Sequence, residues 1–398
     1  MMTGNLAAAW GARLADVDYI PAFPITPQTE IVEALANWCA RGELAARFVS
    51  MDSEHSMMTA AGAAEVTGAR VFTATSSQGL LHAFEVLYSI SGWRAPLVLV
   101  NVSRALAAPI TLESDHNDVL AARDAGFLQI HAETCQEVLD SILMAYRIAE
   151  DERVMLPVIV NLDGFTLSFT REPVSLPDVD TVRRFLPPFR PSHLGFAASS
   201  PHALGVAVIG GTPYAYFRHQ MHLAAQNALE VHREAAESFH ALFGRRYDLV
   251  EGYRLEDADD VLVMTNAGAS KGKAAVDVAR AQGKPMQVGA EAPPRDSEEA
   301  QNPRLASRSS TWDWLVTTSR LDWPSTTGPC RSLVAGAGLL LPSGAVLTSR
   351  SSNCFSMSEA RLTTRAMTWP VRSWKSWAIM MSVRFSSIAA FDWLTRCR

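Results

Sequence analysis

Three features of the sequence predict an α/β fold built on a doubly wound parallel sheet. Strand-like and helix-like segments alternate over about the first 160 residues, the rhythm of βαβ units. Two strand-like runs, residues 97–102 and 156–162, are almost wholly apolar, as strands covered by helices on both faces must be. Polar residues gather in the loops that follow the strands, the end at which open α/β sheets hold ligands.

Taken in order, residues 3–15, rich in Ala and Leu, predict a first helix. Asp18-Tyr19-Ile20-Pro21-Ala22-Phe23 reads as a short buried strand, and the loop Pro24-Ile25-Thr26-Pro27 follows it. Two prolines bracket Thr26, and Pro27 can occupy the first turn of a helix, where its missing N–H costs nothing. Apolar spacing carries that helix through Trp38. Locally this is also what an ordinary βα turn looks like. Arg47-Phe48-Val49-Ser50-Met51 is a second strand, and Asp52-Ser53-Glu54 opens a helix whose Ala60-Ala61-Gly62-Ala63-Ala64 run permits close approach to a neighbour. Residues 71–75 form a strand, Ser76-Ser77-Gln78-Gly79 its loop, and 80–91 the next helix. Prolines over 171–215 mark a surface excursion, and a helix follows over about 218–242. Residues 260–265 begin a new strand, and 267–272 turn into a helix ending near Gly283, the first βα unit of a second α/β domain.

Bulk properties narrow the function. A 398-residue chain that is 48% hydrophobic can build two or three cores. No apolar run reaches the ~18 residues that span a bilayer, and the start carries no basic region followed by an apolar core. The five cysteines are scattered without a C-x-x-C pair, so neither a zinc nor an iron–sulfur site is expected on this chain. A cytoplasmic, reducing location is expected, with no membrane and no nucleic acid as partner.

Candidate chemistry sits at strand ends. Glu54 stands at a helix start, where a cap or dipole partner is the plainer role. Arg104 follows an apolar strand, a place where a guanidinium normally pairs with a carboxylate. Ser114-Asp115-His116-Asn117-Asp118 has metal-like composition, although capping and loop hydrogen bonds account for it better. His82 and His131 read as packing residues. The chain has no G-x-x-x-x-G-K-[ST] loop, no G-x-G-x-x-G fingerprint, and no Gly-Asp-Gly of the kind that holds a magnesium diphosphate; its Asp163-Gly164 lacks the first glycine.

The order of motifs Pro24-Ile25-Thr26-Pro27, Ser53-Glu54-His55-Ser56, Thr73-Ala74-Thr75-Ser76-Ser77-Gln78-Gly79, Ser103-Arg104-Ala105, Asp115-His116-Asn117-Asp118 and Leu162-Asp163-Gly164-Phe165 resembles the alpha subunit of 2-oxoacid:ferredoxin oxidoreductases, most of all the pyruvate enzyme. The likeness runs from about residue 3 to 285. It implies a thiamine diphosphate pyrimidine-binding domain, followed by a domain like the carboxyl-terminal one of transketolases. It implies reversible oxidative decarboxylation of pyruvate to acetyl-CoA and carbon dioxide, with coenzyme A as acyl acceptor and ferredoxin as electron acceptor. A beta subunit would carry magnesium, the diphosphate site and an iron–sulfur cluster. Gamma and ferredoxin-like delta subunits would complete the complex, so the chain would not act alone. By the same resemblance Glu54 bonds the pyrimidine ring nitrogen, Thr26 and Arg104 contact the substrate, and Ser76, Ser77 and Gln78 line the cofactor pocket. A different 2-oxoacid, branched or 2-oxoglutarate, and an inactive homologue that only binds partners are the alternatives.

The expected domains are 1–240, with the proline-rich excursion near 171–215; 255–285, a truncated start of the second domain; and a tail, 286–398. Residues 1–285 carry 22 Lys+Arg and 33 Asp+Glu, whereas 286–398 carry 13 and 8, with 12 Arg to one Lys, seven of the ten tryptophans, 18 Ser and no Tyr or His. So abrupt a change predicts a frameshifted, non-family tail without a packed core, rather than a basic arm for an acidic partner.

Overall fold

The computed structural model describes residues 1–283 except 192–194, 196–198, 200, 202, 257 and 259, and describes 260 and 286–288 as backbone. In chain order the elements are β1 (Met2–Thr3), α1 (Gly4–Leu14), β2 (Tyr19–Ala22), α2 (Thr29–Ala40), β3 (Arg47–Ser50), α3 (Glu54–Glu65), β4 (Phe72–Thr75), α4 (Ser77–His82), α5 (Phe84–Gly92), β5 (Val98–Ser103), α6 (Asn117–Ala121), β6 (Leu128–His131), α7 (Cys135–Ala149), β7 (Val158–Asp163), β8 (Arg171–Glu172), α8 (Val179–Phe185), α9 (Gly211–Phe243), β9 (Asp260–Leu262), α10 (Gly268–Ala281) and β10 (Met286–Val288).

A four-stranded parallel sheet in the order β4-β5-β7-β6 forms the centre. The parallel pair β2–β3 adjoins it through a bridge between Tyr19 and Val71. Side chains alternate between two cores, as the period of two requires. Phe72, Val98, Val100, Val158 and Val160 join α1, α2, α7 and α9 on one face. Val71, Leu97, Leu99 and Ile159 join α3 and α5 on the other. Helices therefore cover both faces, and the doubly wound expectation holds. Within this apolar sheet Asn101 and Asn161 are register partners, and their side chains bond at 2.9 Å.

Local sequence fixes the helix starts. Thr3, Ser53 and Thr134 accept hydrogen bonds from the backbone N–H groups of Leu6, Ser56 and Glu137 and so cap α1, α3 and α7. The small-residue run does bring α3 close to a neighbour: a Cβ on Gly62 would lie 2.6 Å from Ile90 of α5.

Several expectations need correction. The helix after Thr26 begins at Thr29, not Pro27, because the Gln28 N–H closes a turn onto the Ile25 carbonyl and holds Pro27 outside it. The helix expected over 80–91 starts at Ser77 and is divided at Ala83 into α4 and α5. The long helix α9 begins at Gly211, earlier than 218; its first turns expose Tyr214, Tyr216 and Phe217, so no amphipathic pattern marks them. The excursion at 171–215 contains β8 and α8. The first three residues of the expected tail, Met286–Val288, form β10, which pairs in parallel with β9. The remainder of the expected tail, from 289, lies outside the described residues. Among the described residues no helix is long and apolar enough to cross a membrane.

Candidate active site

The carboxyl ends of β2, β4, β5 and β7 bring the polar loops together. Glu54 opens α3, and its carboxyl is 9% exposed. One oxygen, Oε2, lies 3.1 Å from Nδ1 of His82 at the end of α4. The other, Oε1, lies over Gly79, where a Cβ would come within 2.6 Å of it and within 2.5 Å of Thr75 Oγ1. A glycine here lets the carboxyl rest against helix backbone. His82, read from sequence as a packing residue, is 56% exposed and touches the Glu54 carboxyl.

Arg104 is buried at the end of β5. Its Nε donates to the Thr26 carbonyl at 2.7 Å, so the structure brings Thr26 and Arg104 together, through the backbone of Thr26. Nη1 of Arg104 is buried without a partner. Burial lowers the basicity of this guanidinium, and the nearby Asp118 carboxylate partly offsets that. A buried arginine with an unused donor is arranged to take an anion.

Ser76 and Ser77 face inward. The Ser76 hydroxyl donates to the Val102 carbonyl at 2.8 Å, and Ser77 Oγ lies 2.8 Å from the Ala105 carbonyl and 2.7 Å from the Gln78 side-chain amide. Ser77 has φ of 46°, a left-handed conformation that costs a non-glycine residue about 1–2 kcal/mol. Its N–H donates to Asp118 Oδ2 at 3.0 Å, a bond that helps hold this geometry.

Asp118, named in sequence only within the 114–118 cluster and given no role in the site, holds the site together. Fully buried, it takes hydrogen bonds from Ser77 N, Asn101 Nδ2, Ser103 Oγ and Arg104 N, and so ties the start of α4 and the end of β5 to one carboxylate. Burial raises its pKa, with the bonds from Asn101 and Ser103 acting against that. Only its Asp-rich neighbourhood signalled it. His116 Nε2 meets Asp163 Oδ1 at 2.6 Å, and its pKa is raised: burial opposes protonation, but the bond to Asp163 and the charges of Asp163, Asp118 and Asp115 together outweigh it. The 114–118 cluster thus serves loop and capping bonds, as its plainer reading implies. Asp163 Oδ2 also accepts from Ala267 N, and Asn266 bonds His131 Nδ1 and the Asn161 carbonyl, docking the β9–α10 turn on the ends of β6 and β7. Loss of solvent around the half-buried His131 ring pushes its pKa down to about 4.

Just past the carboxyl end of β6, Glu133 clusters with Glu137 and Glu251, with Lys273 Nζ 2.7 Å from Glu133 and 2.8 Å from Glu251. A cavity of about 630 Å³ lined by Trp10, Arg13, Asp18 and Arg70 lies at the amino ends of the strands, opposite the site.

Residues 10–238 match the family model described as pyruvate flavodoxin/ferredoxin oxidoreductase, thiamine diphosphate-binding. The chain is 46% identical over 288 residues to the pyruvate synthase subunit PorA of Methanocaldococcus jannaschii, covering 71% of this chain and 73% of that one. It is 40% identical to PorA of Thermotoga maritima, covering 71% and 72%, and 40% identical to the ketoisovalerate oxidoreductase subunit VorA of Pyrococcus horikoshii, covering 71% of each. Its fold is similar to that of the 2-oxoglutarate:ferredoxin oxidoreductase from Magnetococcus marinus, with a TM-score of 0.55 and 17% identity over 77% of this chain and 56% of that one. Strand-end geometry, family match and relatives agree: the chain belongs to the thiamine diphosphate-binding family of pyruvate flavodoxin/ferredoxin oxidoreductases.

Proposed function

We propose that this chain is the alpha subunit of a pyruvate:ferredoxin oxidoreductase, catalysing reversible oxidative decarboxylation of pyruvate to acetyl-CoA and carbon dioxide. The observation that carries the reading is that a buried carboxyl, Glu54, and a buried arginine, Arg104, whose Nη1 has no partner, stand at the same end of the sheet. Thiamine diphosphate fits these residues: Glu54 Oε1 lies in a cradle that a Cβ on Gly79 would fill, and Thr75 Oγ1 beside it is buried without a partner. When bound, the cofactor supplies the nucleophilic carbon and the electron sink. Glu54 would hold and exchange a proton at the pyrimidine ring nitrogen, an acid–base role set by position. Arg104 would bind the 2-oxoacid carboxylate, with Thr26 beside it on the carbonyl side. Ser76, Ser77 and Gln78 belong to the cofactor pocket, the two serines by fixing its wall. Magnesium, the diphosphate site and the iron–sulfur clusters are assigned to beta, gamma and ferredoxin-like delta partners, and ferredoxin and coenzyme A to the assembled complex. The chain lacks the Gly-Asp-Gly and cysteine motifs that these groups need.

One observation favours a second reading. The ketoisovalerate subunit VorA is as similar to this chain as the Thermotoga PorA, at 40% identity. A branched 2-oxoacid is therefore the alternative substrate, and a panel of 2-oxoacids offered to the reconstituted complex separates the two. In the same complex Glu54→Gln is expected to fold and assemble but to lose ~10²–10⁴ in turnover, because an amide cannot exchange the proton. Arg104→Lys keeps the charge but loses the planar fork, and is expected to raise KM for the 2-oxoacid more than it weakens thiamine diphosphate binding. Near-normal turnover in the first variant, or lost cofactor affinity with unchanged substrate dependence in the second, removes the residue from its role.

A further inference from the structure

We propose that His82 is a positioning residue for the Glu54 carboxyl, a role that rests on reading Glu54 as the group facing the cofactor's pyrimidine. Glu54 sits at the first position of α3, so its backbone is fixed by the Ser53 cap. Its side chain still has freely rotating bonds, and a carboxyl that serves one ring nitrogen must be held in one orientation. His82 Nδ1, 3.1 Å from Oε2, does this from the neighbouring helix and leaves Oε1, over Gly79 and Thr75, to face the cofactor. The helix bearing His82 starts at Ser77, whose backbone and hydroxyl are tied to Asp118 and Ala105. The position of the imidazole is therefore set by the same loop that builds the site. His82 contributes little to a core, because more than half of its side chain is exposed; the His55 ring is centred 6.4 Å away. An exposed ring reaching back to a buried carboxyl is placed for that carboxyl, and a bond to a charged acceptor is among the stronger ones available.

The test uses the assembled complex with two variants. His82→Ala removes the donor. His82→Asn keeps an N–H close to where Nδ1 stood. His82→Ala is expected to lower kcat by about tenfold, the scale of one hydrogen bond to a charged group, with KM for pyruvate nearly unchanged because Arg104 still holds the substrate. Thiamine diphosphate affinity, measured by calorimetric titration, is expected to weaken severalfold, and His82→Asn to recover most of both losses. Wild-type kcat in His82→Ala, equal losses in the two variants, or an effect confined to KM overturns the assignment. Glu54→Gln measured alongside separates the failures. If it is inactive while His82→Ala is normal, only the role of His82 falls. If Glu54→Gln itself turns over normally, the underlying reading of Glu54 falls too.

Discussion

Gly79 decides the site by lacking a single carbon. A Cβ at this position would stand 2.6 Å from Glu54 Oε1 and 2.5 Å from Thr75 Oγ1, so there is no room for a methyl group. Gly79→Ala should gain helix propensity, worth about 1 kcal/mol, and yet displace the Glu54 carboxyl. The expected outcome is a protein that melts at or near the wild-type temperature but whose assembled complex loses at least about tenfold in kcat, a step of roughly 1.4 kcal/mol in the barrier. Unchanged turnover would mean that the carboxyl can shift without penalty. Local sequence singles out Arg104, a guanidinium after an apolar strand, whereas Glu54 and Thr26 look locally like a helix start and a βα turn and are picked out only by the order of motifs. The contacts of His82 and Asp118 are hidden, because their partners lie 28 residues away for the first and 14 to 41 for the second, and only the fold brings them together. The inward turn of the Ser77 hydroxyl is hidden for another reason: it follows from a positive φ that the residue type does not announce.

Elements differ in legibility according to how one-sided their burial is. β5 and β7, buried along their whole length, are nearly pure apolar runs and stand out directly. β6, a half-buried edge strand with Gln129 and His131 in it, carries no clear pattern and escapes sequence reading. α7, amphipathic in sequence and buried on nearly every side, also escapes sequence reading. The junction of α3 with β4 holds a buried ionic cluster that bears on stability. Glu65 accepts from the Val71 N–H at 2.9 Å, while Arg70 pairs with Glu150 at 2.6 Å. Burial raises the Glu65 pKa well above the ordinary carboxylate value, and the Glu150 charge adds to this. The folded state therefore binds a proton that the unfolded chain releases more readily. The stability this gives is fully present below the ordinary glutamate pKa and is lost as pH rises through the raised one. Glu65→Gln should abolish that loss. Thermal midpoints at about pH 5 and about pH 8 are expected to differ less in the variant than in the wild type; an unchanged difference would place the pH dependence elsewhere.

At the scale of the whole molecule, the first α/β unit is readable from rhythm alone, and the second only as far as its first helix. The described strand β10 extends that second unit to Val288. The relatives align over 282 to 290 residues, about the length of the segment before the composition changes. They are covered to only 71–74% of their own length, and a change of reading frame near residue 286 is our proposal for the tail. The coding sequence past codon 288 is expected to continue the second domain in another frame; three frames without such a continuation would end the idea. Within the first unit, the Asn101–Asn161 pair has a reach beyond its own hydrogen bond. The flanking residues of both strands are so alike, Val-Leu-Val before one Asn and Val-Ile-Val before the other, that apolar matching alone hardly distinguishes one alignment from the next. A slide of two residues would keep every side chain on its face, but it would strand both amides and carry Arg104 and Asp163 about 6.6 Å apart from their present levels. The pair is thus a common zero mark from which the heights of the catalytic loops are measured, and an error there would yield a well-folded protein with its tools at the wrong height.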